Sequence, residues 1–266
     1  MKPVLMTYTK RDITNFVVLM LLGIVIIPTF IKTEYWYTSI LIPWLCLALA
    51  TIGQQIVMGY TGQLALGAAG FMAAGAFAMF NLILRVPELG FIGSLAVSGL
   101  IAAAFGILFG LPSLKVRGIY LMVATLASQF FIIWMIDKFG WFKNYDSSGI
   151  ITAQDIVIFG KPFTTPFAMY LVCVAVTTIL TLLAMNMARG STGRNWMAVR
   201  DMDIAAESMG VSLLKTKVQA FAISAFYCGV AGALFAFCYL KSLEPVAFDI
   251  KLSFKILFMC ILGGLG

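Results

Sequence analysis

The chain has 266 residues, of which 62% are hydrophobic and 11% charged, with a mean hydropathy of +1.01; a soluble domain of this length needs far more charge to cover its surface, so an aqueous globular protein is excluded. Eighteen Lys and Arg stand against eleven Asp and Glu, for a net charge of +7, and histidine is absent, which removes the commonest metal ligand and the usual proton relay near neutral pH, so neither a metal site nor a cofactor is expected. The basic excess carries no interleaved aromatic patch, so it reads as loops on one side of a membrane and nucleic acid is not an expected partner.

A hydrocarbon core of roughly 30 Å asks for about 20 apolar residues per helix. By that measure the sequence is all-α, a polytopic transmembrane helix bundle of about eight apolar segments. They run Ile13 to Ile31, Trp36 to Met58, Leu66 to Leu84, Phe91 to Leu111, Ile119 to Ile136, Pro166 to Ala188, Val218 to Leu240, and Phe254 onward. Lys2, Lys10 and Arg11 precede the first run, but IKTEYWY after it offers no small-residue cleavage site, so it reads as an uncleaved first helix. The last run reaches only from Phe254 to Gly266, too short to span, so a truncated chain is expected.

With the N-terminus inside, the cytoplasmic segments collect Lys2, Lys10, Arg11, Lys115, Arg117, Arg189, Arg194, Arg200, Lys215 and Lys217 against Asp12, Asp201, Asp203 and Glu207. The outer segments hold eight basic and seven acidic residues, so the positive-inside bias favours this orientation. The longest outer stretch, Asp137 to Thr165, is too polar to span, and its Trp141, Phe142 and Tyr145 suit a membrane interface.

Small residues form stripes along three spans. Ser94, Ser98, Ala102, Gly106 and Gly110 recur at every fourth position, as do Ser224, Cys228, Gly232 and Ala236, with Ala225, Gly229 and Ala233 beside them, and Gly70, Ala74 and Ala78. Such stripes let helices approach closely and indicate a bundle, not a function. Cys46, Cys173, Cys228, Cys238 and Cys260 all lie in apolar runs and read as packing residues.

Polar residues within spans are few: Gln54 and Gln55 at the end of the second, Gln63 after it, and Thr125, Ser128 and Gln129 in the fifth. Each alone suits an interhelical hydrogen bond; as a set they are candidates for a polar translocation pathway. No ionisable side chain sits at mid-membrane, which weighs against a proton- or sodium-coupled carrier. Between the second and third spans runs GYTGQLALG, with Gly59, Gly62 and Gly67. Glycines there permit either a broken or re-entrant helix lining the pathway or a tight loop, and spacing does not choose between them.

Residues 189–217 form the one long basic, amphipathic stretch. Val199, Met202, Ala206 and Met209 recur at helical intervals beside Arg200, Asp203 and Glu207, and Gly210 follows as a left-handed cap. This predicts one helix of roughly three turns, too short to span. Its basic flanks suit anionic lipid, whereas Asp201, Asp203 and Glu207 suit a protein groove.

Four segments, GYTGQLALGAAGF, LKVRGIYLMVATLA, GRNWMAVRDMDIAAESMGV, and AFAISAFYCGVAGALFA followed by EPVAFDIKLSFKILFMCILGGLG, resemble the integral membrane permeases of branched-chain amino acid ABC importers, of the LivM type. The resemblance implies one transmembrane permease domain over residues 1–266, in a bacterial inner membrane, with 189–217 as its cytoplasmic coupling loop. It implies that Arg200, Asp201, Ala205, Ala206, Glu207 and Gly210 form a coupling helix received by ABC ATPase subunits, and that a second homologous permease and an external solute-binding protein complete the assembly. The family's glycine-rich element commonly carries Ser and His where this chain has Ala65 and Ala68. No GxxxxGK[ST] phosphate loop occurs, so ATP hydrolysis is expected in a partner chain and this chain is not an enzyme. The competing readings are a permease for urea or short amides, and a self-sufficient channel or carrier for a small solute.

Overall fold

The computed structural model describes residues 34–113, 119–145, 151–153, 157–158, 161–162 and 165–264. The expected first span, Ile13 to Ile31, lies outside them, as do Lys2, Lys10, Arg11, Asp12, Lys115 and Arg117 of the orientation argument.

Six helices among the described residues are long and apolar enough to cross a membrane. The first, α1 (Glu34–Tyr60), is one continuous span whose α-helical middle, Ile42–Gln55, is flanked by π-helical turns at Tyr37–Leu41 and Ile56–Tyr60. Then come α2 (Ala68–Arg85), α3 (Gly90–Ser113), α4 (Ile119–Lys138) and α5 (Pro166–Arg189), the last opening on a proline whose missing N–H is no loss at a helix start. Two short helices follow, α6 (Ser191–Asp201) and α7 (Asp203–Ser208). The sixth span joins α8 (Leu213–Leu234) to a π-helical end at Phe235–Leu240. The last helix, α9 (Ile250–Gly263), begins earlier than its apolar run because Asp249 caps it, the carboxylate accepting from Leu252 N at 3.1 Å. It has 14 residues, short of a span.

The bundle is centred on α2 and α8, whose apolar windows are 72% and 83% buried, whereas α4 and α5 are 28% and 33% buried and present broad apolar faces outward. The central helices meet through small residues. A Cβ on Gly75 of α2 would overlap the backbone of Gly229 on α8, and one on Gly232 would overlap the backbone of Met72. All five members of the α3 stripe, Ser94 to Gly110, are buried; a Cβ on Gly106 would overlap Ala225 of α8, and one on Gly229 would overlap Ala102. α1 closes on α8 at Gly53, where a Cβ would stand 2.7 Å from Tyr227 Cβ, and Tyr227 in turn donates to Leu180 O of α5 at 2.7 Å.

At the end of the bundle opposite α6, the chain after α4 is fastened to α2. Asn81 Nδ2 donates to Phe142 O at 3.1 Å, Arg85 donates to Trp141 O at 3.0 Å and its guanidinium lies 3.7 Å from the centre of the Trp141 ring. Trp141 and Tyr145 are exposed and Phe142 is half-buried. Strands of two residues each form two antiparallel pairs, β1 (Ile151–Thr152) with β4 (Ser242–Leu243), and β2 (Val157–Ile158) with β3 (Lys161–Pro162). The five cysteines are free and buried.

The polar stretch after α5 departs from the predicted single helix. Helix begins at Ser191, eight residues before Val199, and it breaks at Met202, whose backbone is extended at φ −152° and ψ 96°. The stripe read as one face is divided accordingly. Val199 and Ala206 are buried against the bundle, whereas Met202 and Met209 are 69% and 73% exposed. The break leaves Val199 and Ala206 on the bundle and turns the two methionines of the same stripe outward. The end forms as the sequence implies: Gly210 has φ +86°, Val211 N donates to Ala206 O at 3.0 Å and Gly210 N to Glu207 O at 2.9 Å, the two bonds of a Schellman cap.

Candidate functional site

The glycine-rich element is a break between two helices. The π-helical turn of α1 ends at Tyr60, Thr61 turns, and residues 62–67 run without helix until α2 starts at Ala68. Gly62 has φ +67°, a conformation that L side chains rarely adopt. At the other end a Cβ on Gly67 would stand 2.7 Å from Thr125 O, and one on Gly70 would stand 2.8 Å from Gln129 Cα, so both glycines are seats for α4.

Side chains from three helices hold this segment through its backbone. Gln54 Nε2 of α1 donates to Ala65 O at 2.5 Å, and Thr125 Oγ1 of α4 accepts from Leu66 N at 2.9 Å. Ser253 Oγ of α9 accepts from Ala69 N at 2.9 Å and donates to Gln129 Oε1 of α4 at 2.7 Å. Buried non-helical backbone requires such partners, since no regular ladder satisfies it. Three of the polar residues singled out in the sequence, Gln54, Thr125 and Gln129, therefore converge on one place. Gln63 is buried in the same segment with neither amide atom hydrogen-bonded. Ser128 bonds Ala124 O within its own helix.

Gln55 points elsewhere. Its Nε2 donates to Gly264 O at 2.8 Å and its Oε1 accepts from Cys260 Sγ at 2.8 Å. It lines a cleft of about 340 Å³ between α1, α5 and α9, together with Thr51, Tyr60, Thr181 and Met259.

Ser253 is not distinguished by the sequence, where it is one hydroxyl in an apolar run. Ser253→Ala is expected to strip a partner from both Ala69 N–H and Gln129 Oε1 and to lower stability by about 2 kcal/mol, the cost of stranding buried polar groups. Ser128→Ala should stay within about 0.5 kcal/mol. Unfolding of each variant in detergent, followed by circular dichroism, checks the difference.

The second half of the site is the polar loop. α6 turns sharply off α5, and a Cβ on Gly193 would overlap Ala188 O. Its next turns insert Trp196 and Val199, respectively 0% and 1% exposed, into the bundle. Trp196 is a second residue that sequence reasoning passes over; the spacing of Gly193, Trp196 and Val199 is the signal for it. Arg200 also turns inward: its Nη1 donates to Gly59 O at 2.8 Å and its Nε to Asp201 Oδ1 at 3.1 Å. Lys217 at the start of α8 ties down α7 through Asp203 at 3.2 Å. Asp201, Ala205, Glu207 and Gly210 face outward, while Ala206 is buried. Beside the outward residues stand Met202, Ile204 and Met209, 69%, 80% and 73% exposed. The loop thus has an inner face gripping the end of α1 and an outer face that is apolar with acidic flanks.

A family model described as "Branched-chain amino acid transport system / permease component" matches residues 37–266. Among curated proteins, the chain is 31% identical over 237 residues to the high-affinity branched-chain amino acid transport system permease protein LivM of Escherichia coli (strain K12), covering 81% of this chain and 55% of the relative. It is 30% identical over 237 residues to the protein of the same name from Salmonella typhimurium, with the same coverage. The chain spans about half the length of these curated relatives. No solved structure matches.

Proposed function

The chain belongs to the family of permease components of branched-chain amino acid transport systems, and from that membership we propose that it is a membrane-spanning subunit of an ATP-driven ABC importer for branched-chain or other hydrophobic amino acids. Its relatives are transport permeases, not enzymes, and the six apolar helices among its described residues make it a multi-pass membrane protein. In this reading ABC ATPase subunits supply the energy, a second homologous permease completes the pathway, and an external solute-binding protein delivers the solute. The membrane is a bacterial inner membrane with the N-terminus and residues 189–217 on the cytoplasmic side.

The observation that carries the reading is the outer face of the polar loop. Ile204 on α7, a helix too short to span, and Met202 and Met209 at its two ends are exposed beside Asp201 and Glu207. Anionic headgroups would oppose those acids, whereas a protein groove with a basic rim accommodates both the apolar tips and the carboxylates. The broken segment 59–67 is the wall of the pathway that moves when the two bundle states interchange, a rigid-body switch of the kind that packed helices support. Gln63, whose amide has both a free donor and a free acceptor, is its solute-facing group.

The test is uptake of radiolabelled leucine into vesicles holding the full assembly. ATP-dependent uptake that stops when the ATPase is left out agrees with the proposal. Leucine flow that needs neither ATP nor the ATPase contradicts it.

A further inference from the structure

We infer that Arg200 and Trp196 act inward, as positioning residues that clamp the broken end of α1 to the polar loop, so that the loop and the segment 59–67 move as one body. The transport consequence rests on the proposed importer reading; the clamp itself does not.

Gly59 lies in the last, π-helical turn of α1, where a helix leaves carbonyls without an N–H partner of their own. Val57 O is taken by Gln63 N at 3.0 Å and by Thr61 Oγ1 at 2.7 Å, and Gly59 O receives the Arg200 guanidinium at 2.8 Å. A charged donor on a carbonyl is among the stronger hydrogen bonds in proteins. Gly62 completes the seat. Its backbone is left-handed, and a Cβ there would stand 3.0 Å from Arg200 Cγ, so the same glycine makes the turn and admits the arginine stem. Four residues before Arg200, on the same face of α6, Trp196 is wholly buried with its ring centre 6.5 Å from that of Tyr60. One face of α6 therefore holds residues 59, 60 and 62 together, where α1 gives way to the break.

The other edge of the Arg200 guanidinium bonds Asp201, whose side chain is 68% exposed. Arg200 is thus a link between a carboxylate on the outer face of the loop and a carbonyl inside the bundle. Arg194, exposed on the opposite side of α6, has no such position.

The experiment reads the clamp on the chain in membranes, without any ATPase. Ala65→Cys places a thiol at a buried position of the segment, and its rate of modification by N-ethylmaleimide reports how often the segment opens. Arg200→Gln is expected to raise that rate by about tenfold or more, the population change that follows from losing a charged hydrogen bond. Trp196→Phe should raise it in the same direction, Arg200→Lys should restore part of the protection, and Arg194→Gln should leave it unchanged. The five native buried cysteines, read in the chain without Ala65→Cys, distinguish a clamp from general loosening. Under the clamp their labelling stays slow in Arg200→Gln. Unchanged labelling of Ala65→Cys in both Arg200→Gln and Trp196→Phe, or an equal rise at the native cysteines, overturns the inference. Either result leaves the importer reading to its own test, since neither measures uptake.

Discussion

Gly75→Ala and Gly232→Ala are each expected to unseat α2 from α8 and to cost about 3 kcal/mol or more, at the upper end of what overpacking a core costs. The added methyl meets backbone on the facing helix, Gly229 at one position and Met72 at the other, and backbone in the middle of a span has no rotamer into which it can retreat. In a membrane the loss is not offset by expelling water, because close packing is itself the main attraction between helices. A drop of roughly 10 °C in the thermal midpoint in detergent corresponds to that cost. Gly93→Ala in α3 is the control: the nearest neighbour of its Cβ would be Leu89 Cβ at 3.4 Å, an ordinary van der Waals distance, and a helical alanine is more favourable than glycine. That variant should melt at or slightly above the parent. An unchanged midpoint for both central variants would mean that α2 and α8 do not pack as described.

The second large effect is expected on transport with the fold intact. Gly210→Val should reduce ATP-driven uptake on the order of tenfold or more, as should Glu207→Lys, the range that follows when a central residue of a protein interface is disrupted. The two act differently. Gly210 has φ +86° with nothing within 4 Å of a Cβ, so valine fails there for conformation alone, opening the cap that ends α7 and turning Met209 away. Asparagine tolerates that conformation, so Gly210→Asn should retain most of the uptake. Glu207 is exposed, so its reversal alters the outer face of the loop without touching the bundle. Membrane insertion of both variants should match the parent, as should the thermal midpoint of Glu207→Lys, whereas Gly210→Val should lose only the stability held by the cap of α7. Normal uptake by Gly210→Val and Glu207→Lys together would remove the coupling role from α7.

The six spans among the described residues are legible because uninterrupted apolar length is a one-dimensional property, and the stripe from Ser94 to Gly110 is buried as its spacing implies, packed on α8 at Ala102, Gly106 and Gly110. What depends on a second partner is not. Gln54, Thr125 and Gln129 stand on two helices whose convergence on residues 65–69 no spacing records, and Ser253, almost 200 residues beyond Gln54, completes the same network. The glycine-rich element admits two readings, since glycine licenses a turn and a broken helix equally; the side chains that satisfy its backbone come from distant helices and are recorded in no local spacing. In the polar loop, period alone joined Val199, Met202, Ala206 and Met209 into one stripe. The break at Met202 divides that stripe, with Val199 and Ala206 against the bundle and the methionines outside, a division that period alone does not record. Arg200 is exposed, as its place on the polar stripe implies, but the bond from its guanidinium to Gly59 O depends on a partner 141 positions away that period does not record.

The central claim is that this chain is a pathway driven through its polar loop by a separate motor. The most direct measurement is purification of the chain from its native membrane in mild detergent, with mass spectrometry of the proteins that remain bound in stoichiometric amount. The account predicts an ABC-type ATPase and a second permease, with the ATPase absent when Glu207 is changed to Lys. Recovery of the chain alone, stable and self-associated, would contradict it and favour a channel or carrier that needs no motor.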